Sequence, residues 1–278
     1  MEKDRNKNFA KLSDTKNGTG FAIITVSYNC ESTIEKTIVS VLKQRDIDLE
    51  YIIIDGASND GTKGIIERYK NSLAYLVSEK DNGIYDAMNK ALKHVTKDVV
   101  CFLNGDDFFL SEDVLYLISK EFETSKADIV IGRIREKDGE PKQVKISDKT
   151  CPYYGVPFPH QATFSKRHLY DELSGFDENY QISADYDWML RAINNNANIH
   201  YSDTLVSYYS DGGRSDSEEC IAEMYSISNK YMNHDNYDSK AIEEMRRFYF
   251  DVICWRIFER VIKLKDNIED PSKLTFLN

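Results

Sequence analysis

No stretch of this 278-residue chain approaches the ~20 consecutive apolar residues of a bilayer-spanning helix. Residues 1–20 are polar and lack the apolar core of a secretion signal. Both absences point to a cytoplasmic protein. Cysteine is sparse: Cys30, Cys101, Cys151, Cys220 and Cys254 are odd in number, far apart and without a C-x-x-C pair. That excludes a zinc ribbon or disulfide framework and fits a reducing compartment. Positive charge is short as well, with 36 Lys and Arg against 47 Asp and Glu and a net charge of −11. Nucleic acid is therefore not an expected partner, because phosphate binding leaves a basic footprint. An acidic chain can still hold an anionic nucleotide through a divalent cation. G-x-G-x-x-G after a strand, a P-loop lysine motif and a G-x-S-x-G elbow are all missing. The five histidines do not cluster at metal-ligand spacing.

What is present reads as an ordinary globular protein, 41% hydrophobic and 30% charged, long enough for a sizeable core. Residues 1–20, rich in Lys, Asn and Asp, read as a flexible tail. Phe21–Ser27 is a short apolar run suited to a strand buried on both faces. Ser32 and Glu35 form an S-x-x-E capping box ahead of Ile34, Ile38, Val41 and Leu42 at helical spacing. The strand–helix unit recurs with Leu49–Ile54, with Ala74–Ser78 and with Val99–Leu103, which predicts a parallel α/β sheet to about residue 135. Beyond it, Ala127–Arg135 and Ile199–Tyr209 read as strands, Tyr186–Ile193 as a helix, and Cys151–His160 as a proline-shaped loop. Two helices follow Glu218. The run Phe248–Lys265 reads as an amphipathic helix with a basic face, a core or homodimer helix with interfacial membrane contact as the alternative.

Ligands of an open parallel sheet bind at the carboxyl ends of its strands. Tyr28 and Asn29, then Asp55, then Asp81, then Asn104, Asp106 and Asp107 occupy those ends. Carboxylates gathered on one edge repel unless a cation neutralises them. Asp106, after Gly105, suits a hard divalent ion that keeps positions open for diphosphate oxygens; a tight turn capping the next helix is the alternative. Asp55 can accept the N3–H of a uracil or close an Asx-turn. Asp185 and Asp187 open a helix, where either acid is favoured by the macrodipole, and at most one of them is chemical. As a base, Asp185 would deprotonate a hydroxyl attacking an anomeric carbon. His160, beside Gln161, can contact phosphate or acceptor or serve the fold. Arg214, in a Gly-containing loop, either closes over a diphosphate or is simply exposed.

In order along the chain, Ile23-Ile24-Thr25-Val26-Ser27-Tyr28-Asn29, Ile53-Ile54-Asp55-Gly56-Ala57-Ser58-Asn59-Asp60-Gly61-Thr62, Glu79 to Lys90, Phe102 to Asp107, Pro159-His160-Gln161, Gly175-Phe176-Asp177 and Ala184-Asp185-Tyr186-Asp187 resemble the family 2 glycosyltransferases of the GT-A fold. The resemblance implies a Rossmann-like, mostly parallel sheet flanked by helices. It runs from Phe21 to about Ser215 and implies a domain at 21–217, with a nucleotide-binding half at 21–110 and an acceptor half at 111–217, followed by a helical extension at 218–278. It implies that Val26, Tyr28, Glu31 and Asp55 frame the nucleobase and ribose, with Asp81, Asn89, Asn104 and Gly105 lining the nucleotide pocket. Asp106 and Asp107 would hold Mn²⁺ or Mg²⁺, and Asp185 would be the base of an inverting transfer from a nucleotide sugar, UDP-linked by family expectation. The first D-x-D position is Asn104, and Ala184 replaces the acid usual before the base. No Q-x-x-R-W motif follows, against a processive synthase. The features resemble a branch that builds bacterial surface glycans on lipid-linked acceptors, consistent with a cytoplasmic enzyme that contacts the inner membrane face. A nucleotidyltransferase would need a Gly-rich basic loop after the first strand, where Ser27-Tyr28-Asn29-Cys30-Glu31 stands. A non-catalytic nucleotide-sugar-binding scaffold is the reading from a different class.

Overall fold

The computed structural model describes residues 18–135, 153, 158–209, 217–234 and 239–266, with side chains of the last helix to Cys254. Strand and helix alternate first: β1 (Phe21–Ser27), α1 (Ile34–Leu42), β2 (Leu49–Asp55), α2 (Thr62–Glu67), β3 (Tyr75–Ser78), α3 (Ile84–Leu92) and β4 (Val99–Phe102). Next come β5 (Phe108–Phe109), α4 (Val114–Ser125), β6 (Ile129–Arg135), β7 (Thr163–Lys166), α5 (Arg167–Glu172), α6 (Ala184–Asn194) and β8 (Ile199–Tyr208). Two helices close the described chain, α7 (Glu218–His234) and α8 (Ser239–Asp266).

The strands form one sheet in the order β3-β2-β1-β4-β7-β6-β8-β5. The half β3-β2-β1-β4 is parallel, as the strand–helix repeat requires. The expectation of a parallel sheet as far as residue 135 needs correction at β5 alone, since β6 runs in the direction of β4. β6 runs parallel to β8 but reaches β4 only through β7, which is antiparallel to both neighbours, and β5 is antiparallel to β8. β5 and β7 are two and four residues long, too short to show a period, and hydrophobic pattern carries no information about strand direction.

Every residue of β1 and β2 is buried, and alternate side chains enter different cores, as a period of two dictates. Phe21, Ile23, Tyr51 and Ile53 pack with Ile34 and Ile38 of α1 and Val114 and Ile118 of α4. Ala22, Ile24, Ile52 and Ile54 pack with Met88 of α3 and Trp188 and Met189 of α6. A third cluster joins the far face of α6, through Tyr186 and Leu190, to Ile227 of α7 and Met245 and Tyr249 of α8. The C-terminal helices therefore share a core with the helix that carries Asp185.

The S-x-x-E capping box is not formed. Thr33, one residue later, is the N-cap of α1 and makes no side-chain cap bond. Its hydroxyl donates instead to the carbonyls of Cys30 (3.3 Å) and Gly105 (2.8 Å), and Glu35 accepts from the Tyr69 hydroxyl. A long-range tie to the β4 loop has replaced the local cap. Among the described residues no helix is long and apolar enough to cross a membrane. Of the C-terminal run, Phe248 and Phe250 are exposed and Tyr249 is buried; its basic residues from Arg256 onward lie outside the described side chains.

Candidate active site

β1 is paired on one side to β2 and on the other to β4, so the crevice of this sheet opens at the carboxyl ends of these strands. The loops leaving β1 and β2 are laced together. The Asn29 N–H donates to Ser58 Oγ (2.9 Å) and Asn29 Oδ1 accepts from the Asn59 N–H (3.0 Å). The Cys30 N–H reaches Thr62 Oγ1, and the Glu31 N–H reaches Asp60. Glu31 Oε2 in turn takes the Gly61 N–H at 3.0 Å. Glu31 thus holds the turn into α2, and Tyr28 is left projecting from the loop with 64% of its surface exposed.

Asp55 is fully buried and anchors this lacing. Ser27 Oγ and Ser58 Oγ donate to its Oδ1, and the Ser58 N–H (3.0 Å) and Ser78 Oγ (2.7 Å) to its Oδ2. Four donors fill the acceptor capacity of one carboxylate. Asp55 thus holds the loop through the Ser58 N–H, three residues on rather than the two of an Asx-turn, and through Ser27 and Ser78 at the ends of the two flanking strands. The signal for this was in the sequence, since Ser27, Asp55 and Ser78 end three adjacent strands in register. Asp81 accepts the Gly83 N–H at 3.1 Å; a Cβ on Gly56 would lie 2.6 Å from its Oδ2. A second hollow of about 430 Å³, open solvent included, lies beside Asp55 between Lys63, Glu67 and Lys70 of the α2 region and Leu76 and Ser78 of β3.

At the end of β4 the chain stays on β1: the Gly105 N–H donates to the Val26 carbonyl (3.2 Å). Val26 itself faces the core. A Cβ on Gly105 would lie 2.6 Å from Cys30 Sγ, so glycine is what lets the two loops touch. Gly105→Ala is expected to destabilise the fold by about 1–3 kcal/mol through overpacking, read as a lower urea midpoint at unchanged m-value. Past Gly105, Asp106 is exposed and Asp107 is buried.

Asn104, Asp106 and Asp107 line a cleft of about 910 Å³, open solvent included, opposite Asp185, His160 and Tyr85. Residues 80 positions apart are thereby brought together. The Asn104 amide donates to His160 Nε2 (2.9 Å) and His160 Nδ1 lies 3.6 Å from Asp185 Oδ2. With the amide so oriented, the neutral ring carries its hydrogen on Nδ1, facing the carboxylate. Asp185 also accepts the Tyr186 N–H and the Tyr85 hydroxyl, each at 2.9 Å. About a quarter of its side chain remains exposed, and His160 is 29% exposed. Burial works against an ionised Asp185, but the His160 imidazole, the Tyr85 hydroxyl and the Tyr186 N–H outweigh it and hold the carboxyl below its ordinary range. Burial likewise disfavours charge on His160, yet Asp185, Asp107 and Asp106 raise its pKa. Burial and the neighbouring Asp185 push the Tyr85 phenol far up, so Tyr85 keeps its proton and acts as a donor.

Asp187, two residues along α6, has a different environment. It is 1% exposed and accepts Arg191 Nε and the Tyr231 hydroxyl, both at 2.7 Å, with Lys230 Nζ at 3.6 Å. Asn89 serves the segment after α5, taking the Phe176 N–H and donating to the Phe176 carbonyl and Glu178. Gln161 is buried in the turn 160–162. Arg214 lies outside the described residues. Tyr85 was legible only as an apolar helix position, and Glu223, which accepts three N–H groups ahead of α6, carried no local signal.

For a metal, Asp106 offers an exposed carboxylate and Asn104 a buried Oδ1 with no hydrogen-bond partner among the described residues. No group of three or more His, Cys, Asp or Glu converges among them. That donor set suits Mg²⁺ or Mn²⁺, which take one or two carboxylates and complete their shell with substrate phosphates and water.

The family model described as "Glycosyl transferase family 2" matches residues 22–181, a span that takes in β1, Asp55, the β4 loop and His160. The chain belongs to glycosyl transferase family 2. It is 31% identical over 183 residues to an uncharacterised glycosyltransferase of Mycobacterium tuberculosis, covering 62% of this chain and 68% of the relative. It is 34% identical over 126 residues to the putative teichuronic acid biosynthesis glycosyltransferase TuaG of Bacillus subtilis, 43% of this chain and 49% of TuaG. Its fold is that of S. aureus TarS residues 1–349 in complex with UDP-GlcNAc (TM-score 0.66, 20% identity, 84% of this chain and 73% of that one). The match spans 43% of a longer TarS chain. A mannosyltransferase of Pyrobaculum calidifontis in complex with GDP-Man and Mn²⁺ shares it too (TM-score 0.64, 17% identity, 94% and 77%). This family 2 glycosyltransferase of GT-A fold places Asp106, Asp107 and Asp185 around one cleft, Asp55 beside a separate hollow and Asp187 in a buried ion pair.

Proposed function

We propose that this glycosyltransferase moves a sugar from a UDP-sugar onto a hydroxyl of a lipid-linked glycan acceptor in surface-polysaccharide synthesis, with inversion at the anomeric carbon. The observation that carries the reading is Asp185, held ionised in the wall of the cleft that faces Asn104 and Asp106. In the proposed step the acceptor oxygen attacks the anomeric carbon as its proton passes to an Asp185 oxygen. The bond from that carbon to the diphosphate oxygen breaks, and the diphosphate leaves with the electron pair. Back-side attack gives inversion. His160 and Tyr85 hold the carboxylate from two sides, the arrangement needed for a base oriented before substrate arrives. Tyr28 offers an exposed ring beside the loop anchored by Asp55, where a nucleobase can stack. Asp106 with the Asn104 Oδ1 would hold a divalent cation, which when bound would neutralise charge on the departing diphosphate. TarS supports the UDP-sugar and TuaG the surface glycan as kinds of substrate. The Mn²⁺ complex of the mannosyltransferase supports the metal.

The direct test is nucleotide release from UDP-, GDP- and dTDP-sugars in Mn²⁺, Mg²⁺ or EDTA. The expected result is slow UDP release from one UDP-sugar, abolished by EDTA. Thermal stabilisation by UDP with metal but no release from any donor would favour a non-catalytic binding protein. No stabilisation by any nucleotide would overturn the proposal.

A further inference from the structure

We infer that Glu223 is a positioning residue for Asp185, which makes α7 part of the transfer apparatus; the inference rests on the reading of Asp185 as the base. The N–H groups at a helix N-terminus have no partners within the helix and need an acceptor from elsewhere. Ser183, the N-cap of α6, makes no side-chain cap bond. Its hydroxyl turns away to the Cys220 carbonyl of α7 (3.4 Å). Glu223, one turn further along α7, takes the N–H of that N-cap and of the two residues before it. Its Oε1 takes the Gln181 N–H at 2.8 Å, and its Oε2 takes the Ile182 and Ser183 N–H groups, both at 2.9 Å. A carboxylate across three N–H groups at this end of a helix gains from charge-assisted bonds and from the helix dipole.

The same short segment forms one wall of the cleft, through Gln181, Ile182 and Asp185. On its other side the Tyr85 hydroxyl of α3 has one proton and two acceptors, the Ile182 carbonyl (2.6 Å) and Asp185 Oδ1 (2.9 Å). The backbone that sets the height of Asp185 is thus gripped between α3 and α7. Besides the longer Ser183–Cys220 bond, the polar ties to α7 described for this region fall at Tyr186 and Asp187: the Tyr186 hydroxyl to Ser228 (2.8 Å) and Asp187 to Tyr231 (2.7 Å) and Lys230 (3.6 Å). Removing the Glu223 carboxylate therefore takes three bonds from the turn that bears the base, leaving it the Tyr85 and Ser183 ties, while the body of α6 stays packed.

The test compares Glu223→Ala and Glu223→Gln with the wild-type full chain by three readouts. These are hydrogen exchange of the amides at 181–183, affinity for UDP with Mn²⁺, and the rate of UDP release from the donor that the wild type turns over. Glu223→Ala is expected to speed exchange at 181–183 at least about tenfold. It should leave UDP affinity within about twofold and lower the release rate by about ten- to a hundredfold, the scale of a displaced catalytic group. Glu223→Gln, whose amide oxygen still accepts, should restore part of the rate. Unchanged exchange or unchanged release in Glu223→Ala overturns the inference. So does a loss of release matched by an equal loss of UDP affinity and of melting temperature, which would mark general support of the fold. A wild type that binds UDP but releases none, with exchange still accelerated in Glu223→Ala, would leave the clamp standing and overturn its catalytic purpose together with Asp185 as the base.

Discussion

Asp185→Asn is expected to lower sugar transfer by about a thousandfold, within the range contributed by a positioned general base, while UDP affinity stays within about twofold. The asparagine keeps nearly the shape of the aspartate and its Oδ1 can still accept the Tyr186 N–H, now 2.9 Å from Asp185 Oδ1. What disappears is the capacity to take a proton, because an amide oxygen is too weak a base at neutral pH. The residues proposed for the nucleotide stay in place: among the described residues the bonds given for Asp55 and the β1 and β2 loops go to one another and to Ser78, not to α6. Steady-state transfer with saturating donor, paired with UDP titration, checks both halves. Unchanged transfer would refute the role of base; loss of transfer together with UDP binding would show that Asp185 works through the shape of the cleft.

The second large effect concerns Asp187 and falls on stability. Asp187→Ala is expected to destabilise the protein by about 3–5 kcal/mol, the cost of removing one member of a buried ion pair. For a chain of this size that is a drop of roughly 6–20 °C in melting temperature. The loss has named parts. Arg191, which also donates to the carbonyls of Leu173 and Gly175, is left without its counter-ion. The Tyr231 hydroxyl loses its acceptor, and Lys230 loses the nearby charge. Asp187→Asn keeps the shape and should cost less, since its amide oxygen can still accept one of these donors. UDP affinity measured below the transition is expected to survive both substitutions. A melting temperature within two or three degrees of wild type, about 1 kcal/mol by the same conversion, would refute the structural role. The two acids thus predict opposite outcomes, one losing chemistry with little stability and the other losing stability with binding retained.

Within α6 the two look alike at first. Both are acids in the first turn, both are favoured by the helix dipole, and what separates them locally is the i,i+4 pairing of Asp187 with Arg191. They differ because His160 and Tyr85, 25 and 100 residues away in the chain, meet Asp185, whereas Lys230 and Tyr231 of α7 meet Asp187. Asn89 teaches the same lesson. It sits in a motif read for nucleotide, and the side-chain bonds described for it go to Phe176 and Glu178. Ser32 and Glu35 had the spacing of a cap, and the competing acceptor for that turn, the Gly105 carbonyl, lies some 70 residues away.

By itself the sequence determined the elements whose signals are local. The apolar runs of β1, β2 and β4 announce strands buried on both faces, and their alternation with helical periods dictates a parallel half-sheet. From that follows the edge at which Asp55, Asp106 and Asp107 gather, because parallel strands end on one side. The tertiary structure decided everything that depends on packing between segments distant in sequence. It set the direction of β7, too short to carry a period, and the saturation of Asp55 by three serines. It also decided the assignment of Asp185 to the cleft and Asp187 to the core, and the hold of Glu223 on the turn before α6. The physical reason is common to these cases. A side chain's burial, charge state and hydrogen bonds are set by neighbours within a few ångströms in space, and in this fold the deciding ones include residues 23 to 100 positions away along the chain.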